Sequence, residues 1–259
     1  MQQEVLTETQ NHKSQKRQET LSESIAGFIA VFVIGLFIVT FIFKNFEIPS
    51  GSMEDTLLIG DHVLVDRISP LPATGYTGPL VPYRHIQHGD IIVFVSPVEP
   101  GRYLVKRIIG LPGDRIHLSN GAVYRNGEKL VEPYIISELG LASVYADNFP
   151  TGPRGFRDPV SPEWPAVMSM HMKDGDLVVP EGSYFGMGDH REISLDSRYW
   201  GFIPERNILG RPLFIYWSFV TPRKVYDRAS WRDRASFMLH ILLHFGGDTR
   251  WSRMFRRVR

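Results

Sequence analysis

Two serines flanking a glycine are the sharpest candidate for chemistry in this sequence. The stretch Pro49-Ser50-Gly51-Ser52-Met53 places a residue without a side chain beside Ser52, so the Ser52 hydroxyl can be presented on a turn with its backbone amide free. A serine becomes a nucleophile only when a base takes its proton. Taken alone, such a turn is more often a simple connection, so the interpretation depends on finding the base.

Histidine is the usual base, but none of the nine histidines lies in the sequence context of a catalytic triad, and no Gly-x-Ser-x-Gly elbow is present. His240 and His244 have the spacing of a helical zinc motif, yet Ile241 stands where that motif has glutamate. The chain has no cysteine, which excludes disulfides, thiolate metal sites and a cysteine nucleophile. We therefore predict neither a metal site nor a cofactor.

Lys106 is the alternative base, because it interrupts an apolar strand, Tyr103-Leu104-Val105-Lys106-Arg107-Ile108-Ile109. Consecutive strand residues face opposite ways, so Lys106 and Arg107 cannot share a face. An ammonium buried among apolar side chains has a lowered pKa and becomes a usable neutral amine near pH 7. An isolated lysine in a strand more commonly extends its amine to solvent, and the pattern alone leaves both interpretations open.

The elements around these residues read as short β-strands. Two Asn-Gly pairs, at 120–121 and 126–127, separate three short strands between Arg115 and Val131, a strong hairpin signal. Residues 201–218 favour a closing strand, whereas 70–87 and 137–172 show no clear period and are predicted to be irregular insertions. Four Gly-Asp pairs each predict a tight turn that leads into a strand, namely Gly60-Asp61, Gly89-Asp90, Gly113-Asp114 and Gly175-Asp176.

The sequence therefore predicts a mainly β fold, a coiled sheet or partly open barrel with a β-hairpin cap region. Residues 186–201 place charged groups beside Tyr199 and Trp200, which favours a partly buried ion network over a solvated loop. With 29 basic and 28 acidic residues, the chain has no large net positive charge that would attract nucleic acid. We therefore expect no nucleic-acid partner.

A membrane anchor is predicted at residues 25–43, which carry no charge and span about 28 Å as a helix, close to the roughly 30 Å core of a bilayer. A cleaved signal peptide would have a shorter apolar core and a small-residue cleavage site. Residues 1–24 are polar and predicted to be a disordered cytoplasmic tail. Lys13, Lys16 and Arg17 precede the run and only Lys44 follows closely, so the positive-inside rule places the N-terminus in the cytoplasm.

The last segment, 228–259, reads as an amphipathic helix followed by a basic tail. Asp233, Ser236, His240 and His244 share one helical face, and an apolar face lies opposite. We predict that it lies flat on the outer face of the membrane, with its arginines near anionic headgroups. A helix packed on the catalytic domain with a solvated tail, and a short second span, are the alternatives. The tail arginines are Arg250, Arg253, Arg256, Arg257 and Arg259.

Four segments together resemble the successive boxes of bacterial type I signal peptidases: PSGSM (49–53), GDIIVF (89–94), YLVKRIIGLPGD (103–114) and GDHREISLDSRYWG (188–201). They occur in the family's order, and the joint match is far more specific than any single box. The resemblance implies a serine endopeptidase of the Ser/Lys type, with Ser52 as nucleophile and Lys106 as general base.

The resemblance also assigns supporting roles. It implies that the Ser50 hydroxyl and the Ser52 amide form the oxyanion hole and that Ser194 hydrogen-bonds and orients the lysine. Two ion pairs, Asp189 with Arg107 and Asp196 with Arg198, would support the site structurally.

The expected organisation is a cytoplasmic tail, a single anchor and a domain outside the bacterial inner membrane. The catalytic β-domain would comprise 44–114 and 186–227, with 115–185 as the cap. Expected partners are preprotein signal peptides with small residues before the cut, membrane lipid and the protein translocation machinery. Two alternatives are a self-cleaving repressor-type Ser/Lys protease and a non-catalytic membrane-anchored β-domain.

Overall fold

The computed structural model describes residues 21–37, 42–67, 84–135, 148–150, 161–221 and 231–259. The chain divides into two compact units, Met1–Phe41 and Ile42–Arg259. The first described unit is helix α1, Leu21–Phe37. Its apolar side chains, such as Phe28 and Val31, are exposed.

The helix differs from the predicted anchor at both ends. It begins at Leu21, within the segment predicted to be a polar tail, and residues 1–20 lie outside the described residues. At the other end Phe43 opens the first β-strand, because it pairs with Asp66 in the sheet. Within the described ranges, no helix combines the length and apolar character that a membrane crossing needs.

The second unit is built on a seven-stranded antiparallel sheet with the order β1-β2-β12-β3-β4-β10-β11, so the predicted mainly β architecture is confirmed. The long strand β12 pairs with β3 near its start and with β2 further along. Its register shifts are bulges, which bend a strand and strengthen its twist, so the sheet curls. The strands are β1 (Phe43–Glu47), β2 (Asp61–Asp66), β3 (Ile91–Val95), β4 (Tyr103–Gly110), β10 (Ser183–Met187), β11 (Ile203–Pro204) and β12 (Ile208–Ser218).

A second, five-stranded antiparallel sheet has the order β7-β6-β5-β9-β8. Two of its hairpins turn at Asn120-Gly121 and Asn126-Gly127, where all four residues have positive φ, as two-residue hairpin turns of this kind require. The hairpin prediction is therefore confirmed. Its strands are β5 (Arg115–Ser119), β6 (Ala122–Arg125), β7 (Glu128–Lys129), β8 (Met172–Lys173) and β9 (Asp176–Val178).

The Gly-Asp turns also form as predicted. All four glycines have φ between 83° and 90°, a region that favours glycine. After Gly60-Asp61 and Gly175-Asp176 the strand begins at the aspartate, and after Gly89-Asp90 and Gly113-Asp114 it begins one residue later. At Gly60 a β-carbon would also collide with the carbonyl oxygen of Phe219, so this turn needs glycine for space as well as for conformation.

The two predicted insertions are only partly described. Residues 68–83, 136–147 and 151–160 lie outside the described residues, and 84–87 have no regular structure. Within 137–172, however, helix α2, Trp164–Met170, corrects the prediction of an irregular segment. Trp164 is buried and its indole Nε1 donates to the Arg198 carbonyl oxygen at 2.9 Å, so tertiary contacts hold this short helix. The single-turn helix α3 is Ser197–Trp200.

The C-terminal helix α4 extends from Trp231 to Asp248. Of the predicted polar face, His240 contacts the Phe219 ring at 6.0 Å and its Nε2 lies 3.1 Å from the Asp248 carboxylate of the same helix, whereas Ser236 and His244 are exposed. Apolar side chains are left outside, with Leu242 and Leu243 more than 70% exposed. The following residues return to the sheet, so part of the basic tail packs on the domain.

Candidate active site

Ser52 lies in a 3₁₀ turn, Gly51–Met53, that follows directly from extended Ser50. The loop that carries it is closed at its base, where Ile48 donates to the Asp61 carbonyl oxygen and Gly60 to the Ile48 carbonyl oxygen, both at 2.9 Å. Met53 and Leu57 are buried in a core cluster beneath the loop, which stabilises it by about 1.5–3 kcal/mol per side chain. The serine hydroxyl therefore stands on a turn that its neighbours hold in place.

Lys106 reaches this hydroxyl from the middle of β4. Its Nζ lies 2.7 Å from Ser52 Oγ, and its side chain is almost completely buried. Because successive side chains of a strand point to opposite faces, Arg107 lies on the other face, where its guanidinium binds Asp189. The sequence argument that the two basic residues cannot share a face is confirmed by these contacts.

Burial lowers the pKa of the Lys106 amine from 10.5 to about 8. The carboxylate of Asp196 acts in the opposite direction and raises the pKa, while the Arg198 guanidinium lowers it again. Removing an ammonium from water disfavours its charged form, and here that effect outweighs the neighbouring carboxylate. Near neutral pH a useful fraction of Lys106 is therefore uncharged and able to accept a proton.

A cleft of about 570 Å³ opens over this pair. Ser50 is exposed on one wall, directly before the turn that carries the nucleophile candidate. Leu104 and the partly exposed Ile193 and Leu195 give the cleft an apolar wall suited to an extended peptide. Its polar lining residues are Ser50, Ser52 and Lys106, together with Ser96, Glu99 and Arg102.

Ser194 lies next to this pair without joining it by a hydrogen bond. Its hydroxyl is buried and has no hydrogen-bond partner among the described residues, so the bond to Lys106 that the resemblance implies is not formed here. A β-carbon on Gly188 would collide with both the Ser194 hydroxyl and the Ser52 carbonyl oxygen. Glycine at 188 thus lets Ser194 approach the Ser52 turn closely.

The two ion pairs are present and buried. Arg107 binds both carboxylate oxygens of Asp189, at 2.8 and 2.7 Å. Arg198 binds both oxygens of Asp196, each at 2.8 Å. The Asp196 carboxylate keeps a lowered pKa, despite burial, because Arg198 and the Gly188 amide stabilise its charged form. Bidentate pairs of this kind fix geometry as well as charge.

Thr56 and His190 belong to the site although sequence reasoning did not select them. The Thr56 hydroxyl donates to Asp189 at 2.6 Å, and the His190 amide donates to the Ser52 carbonyl oxygen at 3.2 Å. The buried His190 ring lies 3.5 Å from Glu54 and 3.6 Å from Glu192. Both residues lie in or beside the motif segments, which is the only sequence signal that could have drawn attention to them.

No cluster of three or more potential metal ligands occurs in the part of the chain that the structure describes. The His240 and His244 rings stack on each other with centroids 4.2 Å apart. His244 Nδ1 contacts the His240 carbonyl oxygen, so these rings make local helix contacts.

Comparison with known proteins gives consistent matches. A family described as "Signal peptidase, peptidase S26" matches residues 21–217. Signal peptidase I of Pseudomonas fluorescens is 33% identical over 226 residues, which cover 80% of this chain and 76% of that protein. Signal peptidase I of Rickettsia typhi is 28% identical over 96% of this chain and 98% of that protein. A crystal structure of a signal peptidase I from Enterococcus faecalis is 32% identical, with a TM-score of 0.36 over 49% of this chain and 97% of that chain.

Proposed function

The chain belongs to the peptidase S26 signal peptidase family, and from this premise we propose that Ser52 is its nucleophile and Lys106 its general base. Members of this family are serine peptidases that remove signal peptides. The observation that carries the proposal is the 2.7 Å contact between Lys106 Nζ and Ser52 Oγ, made by an amine whose pKa burial lowers to about 8.

The reaction begins when Ser52 Oγ attacks the carbonyl carbon of the scissile bond and its proton passes to the neutral Lys106 amine. The resulting ammonium then gives this proton to the leaving amine, which frees the mature protein and leaves an acyl-enzyme. A water molecule, deprotonated by Lys106, attacks the acyl-enzyme and releases the signal peptide. A single amine in contact with the nucleophile serves every proton transfer.

The developing oxyanion would be held by the Ser50 hydroxyl and the Ser52 amide. The first amides of a helical turn have no acceptor within that turn, and Ser52 lies in the 3₁₀ turn directly after Ser50. Donors fixed beforehand stabilise the transition state without reorganising as charge develops. Ser194, buried beside Gly188, would orient Lys106 after a small movement of the lysine or of its own hydroxyl.

The two ion pairs position the elements that carry the dyad. Arg107 follows Lys106 on β4 and binds Asp189, while Asp196 binds both Arg198 and the Gly188 amide. They support the site structurally and take no part in proton transfer. The reaction needs no metal and no cofactor, because the Ser52 nucleophile and the Lys106 base supply its chemistry.

The substrates we propose are signal peptides of exported preproteins, with small residues before the cut, delivered by the protein translocation machinery. The enzyme would be anchored in the inner membrane of a bacterium by the apolar segment 25–43, with its N-terminus in the cytoplasm and its catalytic unit on the periplasmic face. The exposed apolar side chains of α1 support contact with lipid.

Alanine substitutions at Ser52 and Lys106 test the dyad. Each substitution should abolish cleavage of a preprotein by the full-length enzyme in detergent. The double variant should be little worse than either single one, because members of a catalytic unit fail together. Acylation by a serine-reactive inhibitor should disappear in parallel.

Lys129→Ala is a matched control, since Lys129 is an exposed lysine in the second sheet, and it should cleave normally. Cleavage by Lys106→Ala at a rate near that of the wild type would refute the dyad.

A further inference from the structure

The C-terminal residues return to the main sheet beyond the part of the chain that the family match covers, which ends at 217. Thr249 bridges to Phe219 and Arg257 to Phe214. Between these bridges a 3₁₀ turn, Trp251–Arg253, carries one arginine inward. Arg253 is only 8% exposed, which is unusual for an arginine without a buried partner.

The partner is Asp61, which is completely buried. Arg253 Nε and Nη2 lie 3.2 and 2.6 Å from the two Asp61 carboxylate oxygens. The same Nη2 also donates to the Thr56 carbonyl oxygen at 3.1 Å. The carboxylate further accepts from the Leu58 amide and from the Ser218 hydroxyl, so the charge of Asp61 is satisfied on every side.

Both acceptors of Arg253 belong to the closed loop that carries Ser52. Asp61 ends this loop and Thr56 lies four residues after the nucleophile. The Thr56 hydroxyl continues the chain of contacts, because it donates to Asp189, which binds Arg107 beside the general base. One guanidinium thus contacts the loop of the nucleophile directly and reaches the strand of the base through Thr56 and Asp189.

We propose that Arg253 is a positioning residue for signal-peptide cleavage, which acts through Asp61 and Thr56 to hold Ser52 in register with Lys106. The proposal rests on the Ser/Lys dyad proposed above. A planar guanidinium with fixed donors holds a carboxylate and a carbonyl in one geometry, which a lysine cannot do. Nucleophile and base must meet within a fraction of an ångström, and a misplacement of about 1 Å can cost on the order of 10²-fold in rate.

The test compares Arg253→Met with Arg253→Lys in the full-length enzyme in detergent. Arg257→Met is the control, because Arg257 is an exposed arginine of the same segment. The burst of a chromogenic signal-peptide ester counts the competent active sites, so that kcat can be stated for each site. We expect Arg253→Met to lower kcat per site by about 10- to 100-fold, as a small displacement of the dyad would, with KM changed by less than about threefold.

Arg253→Lys keeps a positive charge near Asp61, but its amine cannot bind the Asp61 carboxylate and the Thr56 carbonyl oxygen in the geometry of the guanidinium. It should restore the melting temperature more than it restores kcat, while Arg257→Met should leave both unchanged. If Arg253→Met does not fold, Arg253→Lys decides the question, with an expected loss of at least about fivefold in kcat per site.

A normal kcat per site in the folded variants, with only a lowered melting temperature or fewer titratable sites, would overturn the proposal and leave Arg253 a purely structural residue. Failure of the dyad itself would show differently, as cleavage by Lys106→Ala. An inactive Lys106→Ala combined with a normal kcat per site in Arg253→Met and Arg253→Lys would therefore reject this proposal alone.

Discussion

Titration of Lys106 gives the most direct measure of the proposed chemistry. Its pKa falls from 10.5 to about 8, which corresponds to about 3 kcal/mol against the charged form. At pH 7 about 9% of the amine is neutral with the lowered pKa, compared with about 0.03% at the ordinary value. Burial therefore supplies about 300-fold more free base at neutral pH.

The value of kcat/KM for a signal-peptide substrate should follow the neutral fraction of Lys106 in the free enzyme. We expect it to rise about tenfold per pH unit below about pH 8, then level off, so that the gain from pH 7 to pH 9 is roughly tenfold. The assay is initial-rate cleavage from pH 6 to 10 in detergent. Lys129→Ala should show the same midpoint.

Stability gives a second readout of the same pKa. Between about pH 8 and 10.5 the unfolded chain keeps a proton that folded Lys106 has lost, so the free energy of unfolding rises with pH through this window, by about 1.4 kcal/mol per unit. Below pH 8 the folded protein bears the full cost. Lys106→Met lacks this rise, which chemical denaturation at pH 7 and pH 10 should detect. A kinetic midpoint near 10, or identical pH dependence of stability in Lys106→Met and wild type, would refute the reasoning.

Two further predictions concern Ser50 and helix α4. Ser50→Ala should keep KM but lower kcat on the order of 10²–10³-fold, as for the loss of one oxyanion donor, whereas a loss below tenfold would mark Ser50 as a turn residue only. Replacing the exposed Leu242 and Leu243 of α4 by serine should weaken binding of the unit Ile42–Arg259 to anionic vesicles, measured by co-sedimentation, because less apolar surface enters the interface. Unchanged vesicle binding would show that α4 does not lie on the membrane.

Local signals explain which parts of the fold could be predicted. The turns depend on positive φ at the glycine of each Gly-Asp pair and at both residues of each Asn-Gly pair, which these residue types adopt readily. Local signals did not predict where the helix of the apolar run ends, because hydropathy does not distinguish the end of a helix from the start of a strand. Phe43 joins the sheet through its pairing with Asp66, a contact distant in sequence.

Helix α2 is a second element that the local sequence could not predict. Its seven residues are too few for a periodic pattern, and isolated helices of this length are not stable in water. Contacts from elsewhere hold it in place, above all the bond from Trp164 to the Arg198 carbonyl oxygen. No property of residues 164–170 alone predicts that contact.

For the candidate site, the resemblance supplied the pairing of Ser52 with Lys106, which are 54 positions apart and have no local sequence relation. It also supplied the pairing of Arg107 with Asp189, and the structure contains both contacts. The role of Arg253 could not be predicted from the sequence, because its contact with Asp61 joins residues 192 positions apart. The motif segments do not extend to Arg253. The predicted membrane role of the tail arginines therefore does not apply to Arg253, whose charge is used inside the fold.

The buried lysine bears on the two alternative functions. A cost of about 3 kcal/mol is a large share of the roughly 5–15 kcal/mol that stabilises a typical protein. A non-catalytic β-domain would gain stability from an apolar residue at 106, because replacing a buried charge by an apolar side chain of similar size is often stabilising.

Retaining the amine 2.7 Å from a serine hydroxyl, in a cleft open to peptide, favours a role that requires a neutral amine. A self-cleaving repressor would have the same requirement, but the chain matches signal peptidases over most of its length.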